Sequence, residues 1–117
     1  MTATVTASRT RAGEIVTALT AQGIRASTDP AALAPPCIVV PPPGRTFDLG
    51  CGYTARWELP ALAPTPTGSD RRSWQDLDDL IEGALAADLP IETAQLVTYN
   101  LAGLDYPAYL LAWTEAI

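Results

Sequence analysis

Histidine and lysine are both missing from this chain of 117 residues. Without histidine there is no usual general base at neutral pH, which excludes Ser-His and Cys-His nucleophilic arrangements. Without lysine, Schiff-base chemistry is excluded as well. The phosphate-binding patterns G-x-x-x-x-G-K-[ST] and G-x-G-x-x-G are also absent, so no motif indicates a nucleotide. We therefore expect a protein that is not an enzyme and needs no cofactor.

Long apolar runs and clusters of basic residues are missing too. The longest apolar runs fall well short of the roughly 18 residues that span a membrane, and the N-terminus lacks the layout of a secretory signal. The net charge is −6 and all seven basic residues are scattered arginines, whereas phosphate binding needs clustered cations. We expect a single domain over residues 1–117 that binds neither membrane nor specific nucleic acid and works in the cytoplasm or in a particle assembled there.

Carboxylates are the remaining candidates for chemistry, and the densest group is Asp76, Asp78, Asp79 and Glu82. Paired acids can hold a divalent cation or hydrolyse a glycosidic bond. The alternative is a solvated helix face, where acids near the N-terminus also favour the helix dipole. We prefer this alternative and expect no metal site, since two cysteines without histidine are a poor zinc ligand set.

Prolines enclose a short strand at residues 37–40, with Pro35 and Pro36 before it and three prolines after it. Proline lacks an amide donor, so this strand cannot lengthen at either end. The segment from Gly44 to Gly52 then predicts a long projecting loop before a second strand begins near Tyr53. Such a loop in a small domain is more often functional than accidental, which indicates a docking element.

Three residues of this loop, Arg45, Phe47 and Asp48, are the predicted protein-interface site. Phe47 is the only phenylalanine, and no core pattern includes it, so it either contacts a partner or packs under its own hairpin. The two cysteines, Cys37 and Cys51, flank the same hairpin. They either form a disulfide across it or remain two reduced, buried residues.

The rest of the chain predicts two amphipathic helices and further strands. The first helix covers about Thr4 to Gln22 and stops at Gly23. Period-2 alternation predicts a strand over residues 53–59 that faces inward with Tyr53, Ala55, Trp57 and Leu59, and Pro60 should end it. A second helix runs from about Ser73, or already from Ser69, to Asp88, with an apolar stripe of Trp74, Leu77, Ile81, Ala84 and Leu85.

Two last strands, at residues 95–101 and 106–113, complete the order α-β-β-α-β-β. We expect an α+β domain in which two helices cover one mostly antiparallel sheet. All three tryptophans, Trp57, Trp74 and Trp113, lie on amphipathic elements. Core packing is therefore the first interpretation of each, and an interface position is the second.

In chain order, the sequence has a helix ending in Gly-Ile-Arg-Ala-Ser-Thr-Asp-Pro (23–30), the strand Pro-Pro-Cys-Ile-Val-Val-Pro-Pro-Pro (35–43), the strand Tyr-Thr-Ala-Arg-Trp (53–57), a Pro/Thr/Gly loop and an acidic helix. Over most of the chain this succession resembles the tail terminator proteins of long-tailed, siphovirus-type phages of actinobacteria. The resemblance implies a small α+β domain that closes into a hexameric ring in the virion neck. Such a ring caps the tail tube, stops its polymerisation and joins the head-tail connector.

The partners that the resemblance implies are further copies of the chain, the tail tube protein and the head-tail connector or head-closure protein. DNA would pass through the lumen without specific binding, because acidic residues there repel it. Two other neck roles, head closure and tail completion, share the size and the ring. From other classes, a monomeric ligand-binding α+β module and a carboxylate enzyme acting through Asp76, Asp79 or Glu82 stay open as alternatives.

Overall fold

The structure is a computed structural model that describes residues 6–48, 52–63 and 71–117. Its elements are α1 (Thr6–Ala21), β1 (Ala26–Ser27), a short 3₁₀ helix (Pro30–Ala32), β2 (Cys37–Val39), β3 (Gly44–Asp48), β4 (Gly52–Leu62), α2 (Arg71–Ala86), β5 (Thr93–Leu101) and β6 (Leu104–Ala116). The six strands form one sheet in the order β1-β2-β4-β6-β5, and β3 also pairs with β4.

The predicted order α-β-β-α-β-β is wrong, because the described elements follow the order α-β-β-β-β-α-β-β. The sheet is mixed: β1 runs parallel to β2, whereas the other recorded pairs are antiparallel. Sequence reasoning missed β1 because two residues are too short to show a period. It missed β3 because that strand lies in the segment interpreted as a loop between two glycines.

Strands β2 and β3 pair along the same edge of β4, with the proline segment between them. Ile38 lies opposite Ala61 and Gly44 lies opposite Arg56. Between these two pairs the edge segment spans six residues, from 38 to 44, whereas β4 spans only five, from 61 to 56. The edge segment therefore holds one extra residue, as in a β-bulge. Because Pro41–Pro43 lack amide donors, they cannot continue the ladder, and the edge is divided into two short strands.

The prediction that Pro60 ends β4 is wrong. Pro60 lies one residue past Ile38–Ala61, the last recorded pair with β2, and its missing amide points to that side and not to β6. The amide of Ala63 donates to Pro107 O at 3.2 Å and the amide of Ile117 donates to Tyr53 O at 3.0 Å. Hydrogen-bonding direction alternates along an antiparallel strand. The backbone amides and carbonyls of the odd-numbered residues of β4 therefore point to β6, and those of the even-numbered residues point to β2 and β3. Pro60 therefore forfeits no bond to β6, and β4 continues to Leu62.

Both helices pack on the face of the sheet formed by the odd-numbered residues of β4. Ile15 and Leu19 from α1 join Leu80 and Ala84 from α2 in one buried cluster. The four residues predicted to face inward from this strand are all in that cluster, as expected: Tyr53, Ala55, Trp57 and Leu59. The principal core thus lies between the two helices and one face of the sheet.

The apolar stripe predicted for α2 is only partly correct. Leu77, Leu80 and Ala84 are buried, whereas Trp74 is 63% exposed and Leu85 is 51% exposed. Trp57 and Trp113 are both fully buried, and their rings stack with centroids 6.3 Å apart. Core packing is thus confirmed for these two tryptophans and wrong for Trp74.

Helix α1 ends in a Schellman motif at Gly23, the predicted stop. The Gly23 amide donates to Thr20 O at 2.9 Å, and the Ile24 amide donates to Leu19 O at 3.2 Å. These two bonds satisfy carbonyls that the helix end would otherwise leave unpaired. Gly23 has φ +80°, a conformation that side-chain-bearing residues rarely adopt.

We predict that Gly23→Ala lowers the free energy of unfolding by about 1 kcal/mol, because alanine is strained at this φ. Gly13→Ala is the matched control. A Cβ at Gly13 would meet no atom within 4 Å, and alanine in a helix interior gains about 1 kcal/mol over glycine. Urea denaturation measures both changes, and a Gly23→Ala variant as stable as the wild type would contradict the assigned helix end.

Cys37 is fully buried in a second cluster on the other face of the sheet, together with Val39, Leu62, Tyr106 and Ala108. It lies opposite Leu62, at one end of β4. Cys37 is a free thiol. Cys51, the other half of the pair considered in the sequence, lies outside the described residues.

We predict that Cys37 reacts with a thiol reagent only when the protein unfolds. Burial raises the pKa of the Cys37 thiol, and the opposing effect of Arg25 is smaller. The thiolate is the reactive form, so low exposure and a raised pKa both slow the reaction. In a Cys51→Ser variant, the rate of reaction should follow the unfolded fraction as urea increases, and rapid labelling without urea would refute the burial.

Candidate functional site

The predicted interface residues Arg45, Phe47 and Asp48 lie on strand β3 and not in a loop. Arg45 is opposite Ala55 and Phe47 is opposite Tyr53 in an antiparallel ladder with β4. The structure describes the backbone of Asp48 but not its side chain. The loop prediction was wrong because Gly44 and Gly52, interpreted as loop boundaries, are each the first residue of a strand.

Arg45 connects this hairpin to the start of helix α1. Its guanidinium donates to Ser8 Oγ from Nη2 at 2.8 Å and from Nε at 3.3 Å, and it lies 5.9 Å from the centre of the Tyr53 ring. The Ser8 amide in turn donates to the Tyr53 hydroxyl at 3.2 Å. Ser8 is fully buried, so these bonds satisfy polar groups that water cannot reach. Arg45 therefore has a structural role in holding α1 against the sheet.

Phe47 is 66% exposed although its ring lies against Tyr53, with centroids 5.3 Å apart. Contact with a partner and packing against its own hairpin are thus compatible for Phe47, because one side of the ring covers Tyr53 and most of its surface faces solvent. Large exposed aromatic side chains are enriched at protein interfaces. Phe47 is available to a partner without any rearrangement of the hairpin.

Sequence reasoning missed a second anchor of α1, formed by Arg11, Glu115 and Trp57. The Arg11 Nε lies 2.8 Å from Glu115 Oε1, and the buried Trp57 indole donates to the same oxygen at 2.8 Å. Arg11 and Glu115 are 104 residues apart, and a separation of that length leaves no local pattern to recognise. One carboxylate thereby joins the helix, the central strand β4 and the last strand β6.

We predict that Glu115→Ala lowers the free energy of unfolding by about 2 kcal/mol, because the buried Trp57 donor loses its acceptor. Glu58→Ala is the matched control. It removes the carboxylate of the Arg56–Glu58 pair, whose side chains are 55% and 47% exposed, and such a pair contributes at most about 1 kcal/mol. Equal losses for the two variants in urea denaturation would contradict a special role for Glu115.

The acidic group on α2 lies mainly in solvent, with Asp78, Asp79 and Glu82 exposed and Asp76 half-buried. No cluster of three or more metal-binding side chains exists within residues 6–48, 52–63 and 71–117. The arrangement fits a solvated helix face. Among the described residues, one depression of about 350 Å³ lies on the helix-free face between the proline segment and Tyr99, and it is open to solvent.

Strand β5 is a further feature that sequence reasoning did not select. It is the outermost strand on its side of the sheet, and its nine residues include no charged residue and no proline. Leu96 in its middle is 63% exposed. The missing charge was visible in the sequence, but only the strand order reveals that this segment lies at an edge.

No known protein family matches this chain, and no curated protein or solved structure is detectably similar to it.

Proposed function

We propose that this chain is a structural protein of a phage neck, a tail terminator that forms a ring, hexameric as in the family it resembles, on the end of the tail tube. The observation that carries the proposal is the combination of an uncharged outer strand with large exposed apolar side chains. Phe47 on β3 and Leu96 on β5 are each about two-thirds exposed. Such groups are costly to leave in water and typical of surfaces that bind other proteins.

The ring would act by competition for a surface. Stacked on the last ring of tube protein through a heterologous contact, it blocks the addition of further tube subunits. Its other side then meets the head-tail connector or a head-closure protein. With a net charge of −6, the chain repels the DNA that passes through the lumen and does not bind it specifically.

The protein would be assembled in the host cytoplasm and end in the virion, between head and tail. In the described part of the chain, neither helix is long and apolar enough to cross a membrane. No partner in this proposal is a lipid. All of the proposed partners are proteins, apart from the DNA in transit.

The nearest alternative is another neck protein, a head-closure protein or a tail-completion adaptor, which would use the same surfaces in a ring at a neighbouring level. A monomeric ligand-binding module is a weaker alternative. Such a module usually encloses most of its ligand in a concave apolar pocket. The groove beside Pro60 and Tyr99 is open to solvent and contains the charged pair Arg56–Glu58.

The test is the mass of the protein by light scattering, alone and after mixing with purified tail tubes of a long-tailed actinobacterial phage, followed by imaging of the tube ends. We expect a ring at one end of each tube and no further tube growth when tube subunits are added. Binding to the head connector but not to tubes would favour the neighbouring neck roles. A persistent monomer that ignores tubes would refute the proposal.

A further inference from the structure

Within residues 6–48, 52–63 and 71–117, no strand pairs with the outer edge of β5, which presents backbone groups along its length. The backbone groups of the odd-numbered residues of β6 point to β4, so those of the even-numbered residues point to β5. In agreement with this, the Glu92 amide donates to Ala112 O at 2.9 Å. On β5 the odd-numbered residues therefore bond to β6. The amides and carbonyls of the even-numbered residues point outward: Ala94, Leu96, Thr98 and Asn100.

Sheets normally protect such an edge with charge, proline, a bulge or a very short strand. On the opposite side of this sheet, β1 and β2 follow that rule, because β1 has two residues and β2 is bounded by prolines. The nine residues of β5 use none of these devices, and the side chains of all four outward-facing residues are exposed. Long unprotected edges are sites of strand addition.

The opposite edge of the sheet has a matching strand. Because the even-numbered residues of β4 face β3, the backbone groups of Arg45 and Phe47 point outward. Phe47 lies on the helix-bearing face, opposite Tyr53. Leu96 lies on the same face, opposite Tyr109, which packs against the same core cluster.

We propose that β5 of one copy pairs with β3 of the next copy, antiparallel, with Phe47 opposite Leu96. The strands β3, β4, β6 and β5 alternate in direction, so the edge strands β3 and β5 run in opposite directions. An antiparallel contact between them therefore lets the sheet of the next copy continue the first sheet, with the helices of both copies on the same face. This register also places Arg45 opposite Thr98. Leu101, the last residue of β5, falls opposite Pro42. The pairing therefore ends before Val40, whose amide already donates to Ser27 O of β1.

The contact buries the two most exposed apolar residues of the two edges against each other. A two-fold pairing of β5 with β5 would instead leave Phe47 in solvent. A β5-to-β3 contact is heterologous, so it repeats from copy to copy and generates a ring when the rotation closes. The closure of this repeat into a ring rests on the proposed function, whereas the strand pairing itself is tested separately.

The first experiment disrupts the outer edge of β5 without touching the core. Leu96→Lys places a charge at the edge, and Thr98→Pro removes an outward amide while it leaves the bonds to β6 in place. Leu85→Lys is the matched control, since Leu85 is 51% exposed on α2. We expect Leu96→Lys and Thr98→Pro to remain folded by circular dichroism and to fall to the 12.3 kDa mass of one chain, whereas Leu85→Lys keeps the wild-type mass.

The second experiment identifies the pairing with a short bismaleimide, in a Cys51→Ser background that retains the buried Cys37. The double variant Phe47→Cys, Leu96→Cys should give a ladder of cross-linked species beyond the dimer, and neither single variant should do so. A strong dimer from Leu96→Cys alone would show β5-to-β5 pairing and overturn the proposal. The cross-linking is done both with free protein and on tail tubes.

The outcomes separate the two proposals. Rings on tube ends that are unaffected by Leu96→Lys and Thr98→Pro would overturn the edge pairing and leave the terminator proposal standing. An oligomer that these variants dissolve, but that never binds tubes or connectors, would support the pairing and refute the terminator proposal. A wild-type monomer under every condition would overturn both.

Discussion

The eleven residues of β4 pair along both edges, with β6 on one side and with β2 and β3 on the other. Its odd-numbered side chains form the floor of the main core, and both helices pack on that floor. A strand so enclosed would not normally tolerate proline. Pro60 is compatible with this position because its missing donor points away from β6 and lies just past Ile38–Ala61, the last recorded pair of β2 with β4, so the long ladder with β6 stays intact.

Helix α1 is attached to this sheet at two polar points in addition to its apolar stripe. Near its start, Ser8 is held by Arg45 and Tyr53, and one turn later Arg11 reaches Glu115. The carboxylate of Glu115 also satisfies the buried Trp57 indole. These contacts use Arg45 within the fold and leave Phe47 beside it exposed, so the hairpin presents an apolar surface on a rigid support.

The exposed features of the molecule lie where a packed core cannot cover them. Phe47 and Leu96 are near opposite edges of the sheet on the helix-bearing side, and Trp74 projects from the first turns of α2. None of these residues forms an enclosed cavity, and the acids of α2 are solvated. A chain with this surface is suited to contacts with other proteins, which is the common basis of the ring proposal and of the edge pairing.

Local patterns in the sequence determined the two helices, the stop at Gly23, the inward-facing residues of β4 and the proline boundaries of β2, since each depends on neighbours within a few residues. The same patterns misplaced Trp74 and Leu85, because a stripe on α2 does not reveal how much of it the sheet covers. They also could not show that β3 is a strand, that β1 runs parallel to β2 or that Glu115 serves Arg11 and Trp57. Only the tertiary structure decided these, because pairing partners and edges depend on residues far apart in the chain, and no local period records them.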